Sequence, residues 1–538
     1  MAKKLILCDC EGSQNVDADA ISRACKLTCS SVFTNLCTSQ IDLAAKELAQ
    51  GDVIIACQQE RQTFEDLAEE INVDSPGFLD LRDRAGWGEG DTSAKMSALA
   101  AEAILTMPLR KSVDVISEGT CLIIGGTAAI DAANELCDLL AVTVLLDDAN
   151  LLPFNRKFDC VVGAIRAVNG ALGNFTVKFD ALQQILPGGR NAFRLSAPKN
   201  GTVSNCDIIL DLTGNTAFVP SAEKREGYIR ADPTHLLSVT KASFEASQLI
   251  GTFEKPLYVK LEEALCAHSR AEQPACSNCL NVCPTGAITS VGEHVAVDPM
   301  VCAGCGSCSA VCPSGAISYD APSIDTIFRR LTTLASTYKK LSRISPHLLV
   351  HDAVYGLEMI SLAARFGRGL PAHVIPLEVD ALSAFGHAEM VAALACGFEH
   401  VDILVTPKSE LNVLEDQKEL AHALAGVDAV SLLQLTDPDD LSEKLYNLDK
   451  ATISCSAILP IGSRRQVTRL ATRALQPDAD IITLPSGAPY GAVVVDTDAC
   501  TLCLSCVSLC PSGALGDNSD LPQLRFQEDA CLQCGLCS

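Results

Sequence analysis

Residues Cys302–Pro313 read CAGCGSCSAVCP, a C-x2-C-x2-C-x3-C-P run. Three thiolates at these tight intervals suit three corners of one 4Fe–4S cube. In two-cube proteins the fourth cysteine, followed by proline, serves the neighbouring cube. Zinc also uses paired C-x2-C steps, but four cysteines ending on Cys-Pro suit it poorly. The stretch predicts a small α+β ferredoxin domain, with a second copy of the pattern nearby.

That copy lies upstream in altered form. Residues Cys266–Ile288 read CAHSRAEQPACSNCLNVCPTGAI. Cys276, Cys279 and Cys283 match the second, third and fourth positions. Cys266 then supplies the first, across nine residues where two are usual. Closing the longer loop costs only about 1.3 kcal/mol extra. Thiolate–metal binding is worth on the order of 10 kcal/mol in small sites. His268 is the rival ligand, because imidazole can replace thiolate; Cys266 is the favoured one. Exchange of fourth ligands assigns one cube to Cys266, Cys276, Cys279 and Cys312, and another to Cys302, Cys305, Cys308 and Cys283. The CPTGAI and CPSGAI segments form an internal repeat.

The pattern returns downstream as CTLCLSCVSLCPSGAL and CLQCGLCS, giving Cys500, Cys503, Cys506, Cys510, Cys531, Cys534 and Cys537. Cys510 completes a cube with the last three. Cys500, Cys503 and Cys506 have no fourth partner in the sequence, so the natural chain is expected to continue past Ser538 to a further Cys-Pro.

Composition agrees. Twenty-seven cysteines in 538 residues are too many for packing alone, and in a reducing compartment clustered cysteines mean metal or redox chemistry. The net charge of −25 argues against nucleic acid and anionic membranes, and 4% aromatic residues against stacking platforms for single strands. No apolar run approaches the ~18 residues that span a bilayer. MAKKLILCDCEGSQN turns polar too soon for a signal peptide, so a cytoplasmic protein without a membrane span is expected.

The rest of the chain alternates short strands with helices, which predicts α/β construction. Five domains are expected: an N-terminal α/β domain at 1–112, a Rossmann-like domain at 113–260, a two-cube ferredoxin domain at 261–320, a flavodoxin-like α/β domain at 321–490, and a second, incomplete ferredoxin domain at 491–538. In the first, Cys8, Cys10, Cys37 and Cys57 follow strand ends, where open α/β sheets place their sites; these four are candidates for another cluster. Cys25 and Cys29, in a helical stretch, read as buried small residues. The second opens CLIIGGTAAIDAANELCDLLAVTVLLDD, a strand, glycine turn, helix and strand ending at Asp147 and Asp148. Read from Gly125, the dinucleotide fingerprint has Thr127 and Ile130 in place of its second and third glycines. A side chain at Thr127 obstructs a pyrophosphate, and Ile130 crowds the helix–strand contact. FAD on Gly125, Gly126 and Asp147 is therefore disfavoured against a scaffold role. His347, His351 and His387 have no ligand spacing.

The first 320 residues resemble the A-type component of heterodisulfide reductase, a flavin and iron–sulfur protein. LCDCEGSQNVD, NLCTSQIDLAAKEL and VIIACQQERQTFEDL are similar to that family's three cysteine segments, and FLDLRDRAGW to its Arg-x4-Trp linker. The resemblance implies a cluster on Cys8, Cys10, Cys37 and Cys57. The altered glycine turn departs from the family where it binds flavin. Residues 345–440 resemble the small delta-type subunit of hydrogenase–heterodisulfide reductase complexes without its cluster cysteines. The CAHSR…CPTGAI arrangement resembles iron–sulfur proteins beside bacterial formate dehydrogenases, which implies a dehydrogenase partner. The sequence thus predicts an electron carrier with at least three and up to five 4Fe–4S clusters, relaying single electrons within a redox assembly. The rivals are an FAD-dependent heterodisulfide reductase-like oxidoreductase and a cluster-storage scaffold; closed, fully ligated repeats disfavour the latter.

Overall fold

The computed structural model describes residues 4–154, 156–188, 193–447 and 455–538. They form a mixed α/β structure with several sheets, in two compact units. The first comprises Met1–Leu109, Glu262–Asn278 and Cys305–Ser538; the second comprises Arg110–Leu261 and Cys279–Gly304. Among the described residues, no helix is long and apolar enough to cross a membrane.

The first unit holds two parallel sheets. One runs Thr28–Phe33, Lys4–Cys8, Val53–Ile55, Gly77–Phe78 in spatial order. Its central strand carries consecutive Leu5, Ile6 and Leu7, all buried, as a strand covered on both faces requires. The helix Ala18–Cys25 returns between the first two strands, started by Asp17, whose carboxylate accepts from the Ala20 N–H at 2.8 Å. Cys25 ends that helix, whereas Cys29 lies in the following strand rather than in the helical stretch read from sequence. The other sheet runs Val374–Glu378, His347–His351, His400–Leu404, Val430–Leu433.

One hydrophobic core runs through both sheets. The helix Ile324–Leu341 buries Ile327, Phe328, Leu331, Leu334, Ala335 and Tyr338, a stripe at helical spacing. It packs against Ser93–Ala103, where buried Arg330 and Glu102 pair at 2.7 Å. All ten residues of the helix His387–Cys396 are buried, so it is a central strut. Lys95 lies wholly inside, its Nζ donating to the carbonyls of Leu370 and Pro371 at 3.2 and 2.9 Å.

The second unit is organised on Thr120–Gly125, Ala141–Leu146, Ile208–Leu212 and Tyr228–Arg230, all parallel. Asp159–Asn169 extends this sheet and turns back antiparallel into Phe175–Leu186. Gly125 ends one strand at φ +153, and a Cβ there would stand 2.7 Å from the Leu212 carbonyl oxygen. The neighbouring strand alone therefore requires this glycine. The helix Thr127–Leu136 follows, laying buried Ala129, Ala132 and Ala133 on the sheet core. Ile130 is half-buried against the same core, so the third glycine of the fingerprint is replaced by packing.

Candidate metal centres

Each ferredoxin-type segment is built from one repeated local piece. The residue four positions before a leading cysteine donates its N–H to the carbonyl of the residue four positions after a Cys-Pro cysteine. Glu262 donates to Ala316 at 2.8 Å, Asp298 to Ala287 at 2.8 Å, and Gln527 to Ala514 at 2.7 Å. These bonds tie Cys266 to Cys312, Cys302 to Cys283, and Cys531 to Cys510. The same three pairs follow from exchange of fourth ligands. Cys266 and Cys531 also share their local backbone. Each follows a single helical turn, Glu263–Leu265 or Glu528–Ala530, at φ/ψ of −69/130 and −69/127. Cys266 thus has the same backbone setting as Cys531.

The nine-residue gap is a hairpin. Ser269–Arg270 pairs antiparallel with Gln273–Pro274, and the turn is made by Ala271 and Glu272 at φ +50 and +64. Its base is closed by Ala275 N–H to the His268 carbonyl at 2.7 Å and Cys276 N–H to the Ala267 carbonyl at 3.2 Å. Antiparallel pairing returns the chain to its start, so Cys266 and Cys276 meet despite the insertion. His268 is buried with its Nδ1 against the Cys276 carbonyl at 2.9 Å. That contact makes it a brace for the loop.

The thiols converge and are supplied with donors. The hydroxyl two residues after each Cys-Pro cysteine lies 3.7 to 3.8 Å from its sulfur, in the pairs Thr285–Cys283, Ser314–Cys312 and Ser512–Cys510. The Ile317 N–H reaches the Cys312 sulfur at 3.4 Å. Burial raises the Cys276 thiol, the Asn278 N–H lowers it, and Cys312, Cys266 and Cys534 raise it again. Cys302 is raised by burial and by Cys283 and lowered by the Gly304 N–H. Cys537 is raised by burial and then by Cys534, Cys531 and Cys510. For Cys510, burial is outweighed by the Leu515 N–H and the Ser512 hydroxyl, which bring the thiol below its usual range. Thiols that raise one another when bare are held by cation binding, and N–H and O–H donors stabilise thiolate. The donor set fits cubes. Among the described residues, no three His, Cys, Asp or Glu are arranged around a single metal ion, whereas a cube spreads its four ligands over four irons. Cys305, Cys308 and Cys506 are half-buried or buried, and Cys500 and Cys503 exposed; a Ser505 hydroxyl lowers the Cys503 thiol.

The N-terminal cysteines meet by a different route. Cys8, Cys10, Cys37 and Cys57 all line one cavity of about 630 Å3 beyond the carboxyl ends of their strands. Burial pushes the Cys57 thiol up to about 11, with Cys37 and Cys8 adding to it and Arg82 opposing. Burial also raises Cys37, followed by Glu60, Cys8 and Cys10. Sequence reading did not give Arg82 this place. Its guanidinium stacks on Trp87 at 4.1 Å, and its Nη1 donates to the Cys10 sulfur at 3.7 Å. Asp83, buried, holds both Arg82 and Arg365. The Arg-x4-Trp spacing is the signal that could have found this pair.

The glycine turn serves its own sheet. Thr127 and Asp147 are exposed, and Asp148 accepts from the backbone and side chain of Asn150 at 2.9 and 2.8 Å to start a short turn. Gly126 begins the following helix with no side-chain cap.

Residues 274–316 match a family model described as the 4Fe-4S dicluster domain, and residues 492–538 match a second model of the same description. The first match begins after Cys266. Two dicluster domains imply at least two 4Fe–4S clusters and give the chain an iron–sulfur electron-transfer role. No curated protein matches the chain.

Proposed function

We propose that this protein is a cytoplasmic multi-cluster relay, passing single electrons within a redox assembly that includes a dehydrogenase. The reading rests on the repeated backbone bond that ties Cys266 to Cys312, Cys302 to Cys283 and Cys531 to Cys510. Cys266, Cys276, Cys279 and Cys312 would hold one cube; Cys302, Cys305, Cys308 and Cys283 a second; Cys510, Cys531, Cys534 and Cys537 a third. Cys500, Cys503 and Cys506 offer three corners of a fourth. Cys8, Cys10, Cys37 and Cys57 would hold a fifth, supported by their shared cavity and by the resemblance to the A-type component of heterodisulfide reductase.

A bound cube supplies reversible one-electron redox chemistry. The protein's own part is to fix the thiolates, donate N–H and O–H groups to their sulfurs, and exclude water. These factors set reduction potential. Flavin on Gly125, Gly126 and Asp147 is not part of this reading, because the neighbouring strand already accounts for Gly125. The test is anaerobic purification from the native host with iron analysis and identification of co-eluting proteins. At least three cubes and a co-eluting dehydrogenase are expected. Fewer than about eight irons per chain, or zinc in their place, would refute the clusters. A full iron count with no redox partner would refute the assembly alone.

A further inference from the structure

The sequence singles out nothing at Arg464 and Arg465, yet these consecutive residues touch the loops of two different cysteine motifs. They open the helix Arg464–Leu475, whose start is fixed by a capping box between Ser463 and Gln466. Arg464 donates to the carbonyl of Ser309, between Cys308 and Cys312, to the buried carboxylate of Glu389, and to the Ala384 carbonyl at 3.4 Å. Arg465 donates through Nε to the Asp529 carbonyl at 2.8 Å, through Nη1 to the Pro489 carbonyl at 3.0 Å, and through Nη2 to the carbonyl of Cys531. One turn later Arg469 holds the Asp529 carboxylate at 2.6 Å.

The two arginines are themselves braced. The Arg465 guanidinium lies 4.7 Å from the Tyr490 ring. The Tyr490 hydroxyl meets His387 Nε2 at 2.8 Å, and His387 Nδ1 meets Gln417 at 2.6 Å. Glu389 also accepts from the Gly386 N–H at 2.9 Å, so Arg464 is anchored to the start of the central helix. The ferredoxin-type loop approaches the same region closely: a Cβ on Gly306 would collide with that of Ala384.

Between the loops lies a cavity of about 250 Å3 lined by Cys312, Arg464, Arg465, Tyr490 and Leu532, among others. Direct packing across it is therefore incomplete, and the guanidinium forks bear on the spacing. Only arginine offers five donors in a rigid plane. A lysine would keep the charge but could not bond three carbonyls in fixed directions.

We propose that Arg464 and Arg465 are positioning residues, a clamp that sets the separation between the Cys266–Cys312 cube and the Cys510–Cys537 cube across the two dicluster segments. The proposal rests on the cube assignments above.

The test uses the full-length, anaerobically prepared protein after dithionite reduction. Iron content and the magnetic relaxation of the reduced cubes are compared in wild type, Arg465→Gln and Arg465→Lys. Interactions between cubes of one segment contribute to all samples and cancel in the comparison. Both variants are expected to keep their iron and to lose the part of the relaxation enhancement that depends on the clamp. An unchanged relaxation in Arg465→Gln with full iron overturns the proposal. Restoration by lysine also overturns it, since charge rather than the fork would then be the cause. If Arg465→Gln does not fold, Arg464→Lys carries the same expectation and the same refutation. A wild type with fewer than about eight irons instead refutes the cluster assignments on which the clamp rests.

Discussion

The N-terminal cysteines and the ferredoxin-type cysteines reach the same kind of convergence by opposite means. Cys302, Cys305 and Cys308 are neighbours in sequence, and a backbone bond from Asp298 to Ala287 ties their segment to that of Cys283. Cys8, Cys10, Cys37 and Cys57 are spread over fifty residues and meet only because parallel strands end side by side. The first kind of site survives local changes elsewhere in the fold. The second depends on a sheet being formed and in register.

The strongest way to break this comparison is to remove one cysteine from each kind of site. Cys266→Ala is expected to lose one cube, about four irons per chain, with His268→Ala keeping its iron, both read by iron and sulfide analysis and by the reduced paramagnetic spectrum. Loss in His268→Ala and retention in Cys266→Ala would reverse their roles. Cys57→Ala should lose a comparable amount from the N-terminal cavity and leave the ferredoxin-type signals intact. An unchanged iron count there would make the four N-terminal cysteines thiols only.

A smaller effect tests the close approach between the Cys302–Cys312 loop and its surroundings. Gly306 sits at φ +79 with the Ala384 methyl in the way. Gly306→Ala should cost at least ~1–3 kcal/mol from backbone strain alone, seen as a lower melting temperature; an unchanged midpoint would mean the loop can shift freely. The smallest effect is a pH slope. Burial, reinforced by Arg464 and Arg465 and opposed by the Gln417 hydrogen bond, pushes His387 down to about 3, against about 6.5 when unfolded. Its folded form stays neutral, so it contributes stability above about pH 6.5 that is lost as pH falls toward 3. Calorimetry from pH 7 to pH 5, with iron content checked at each point, should show a shallower fall for His387→Gln than for wild type.

Part of this was legible in the sequence because three of the four cysteines assigned to each ferredoxin-type cube lie close together in the chain. C-x2-C steps and Cys-Pro endings marked the candidate cysteines, and the pairs expected from exchange of fourth ligands are the ones whose segments Glu262, Asp298 and Gln527 tie together. The hairpin between Cys266 and Cys276 was not legible. Its turn uses Ala271 and Glu272 at positive φ, where glycine or asparagine would have announced it. The placement of Cys29 in a strand also escaped, since a short segment around Lys26 reads equally well as the end of a helix or the start of a strand. Arg464 and Arg465 carried no signal, because an arginine that binds carbonyls looks like any other surface cation until the fold brings the loops to it. The glycine turn was half legible. Thr127 and Ile130 spoke in the sequence against a pyrophosphate, but the reason for Gly125, the close Leu212 carbonyl, appears only in the fold.

The hairpin between Cys266 and Cys276 also makes a port for engineering. Its base is locked by the bonds from Ala275 to His268 and from Cys276 to Ala267, and Ala271 and Glu272 at its tip are exposed. Extra residues introduced between Ala271 and Glu272 lengthen the chain without altering the span between the two cysteines, and each doubling of the loop adds only about 0.6 kcal/mol. A peptide tag or reporter grafted there would sit beside Cys266 and Cys276 while leaving both cysteines where they are.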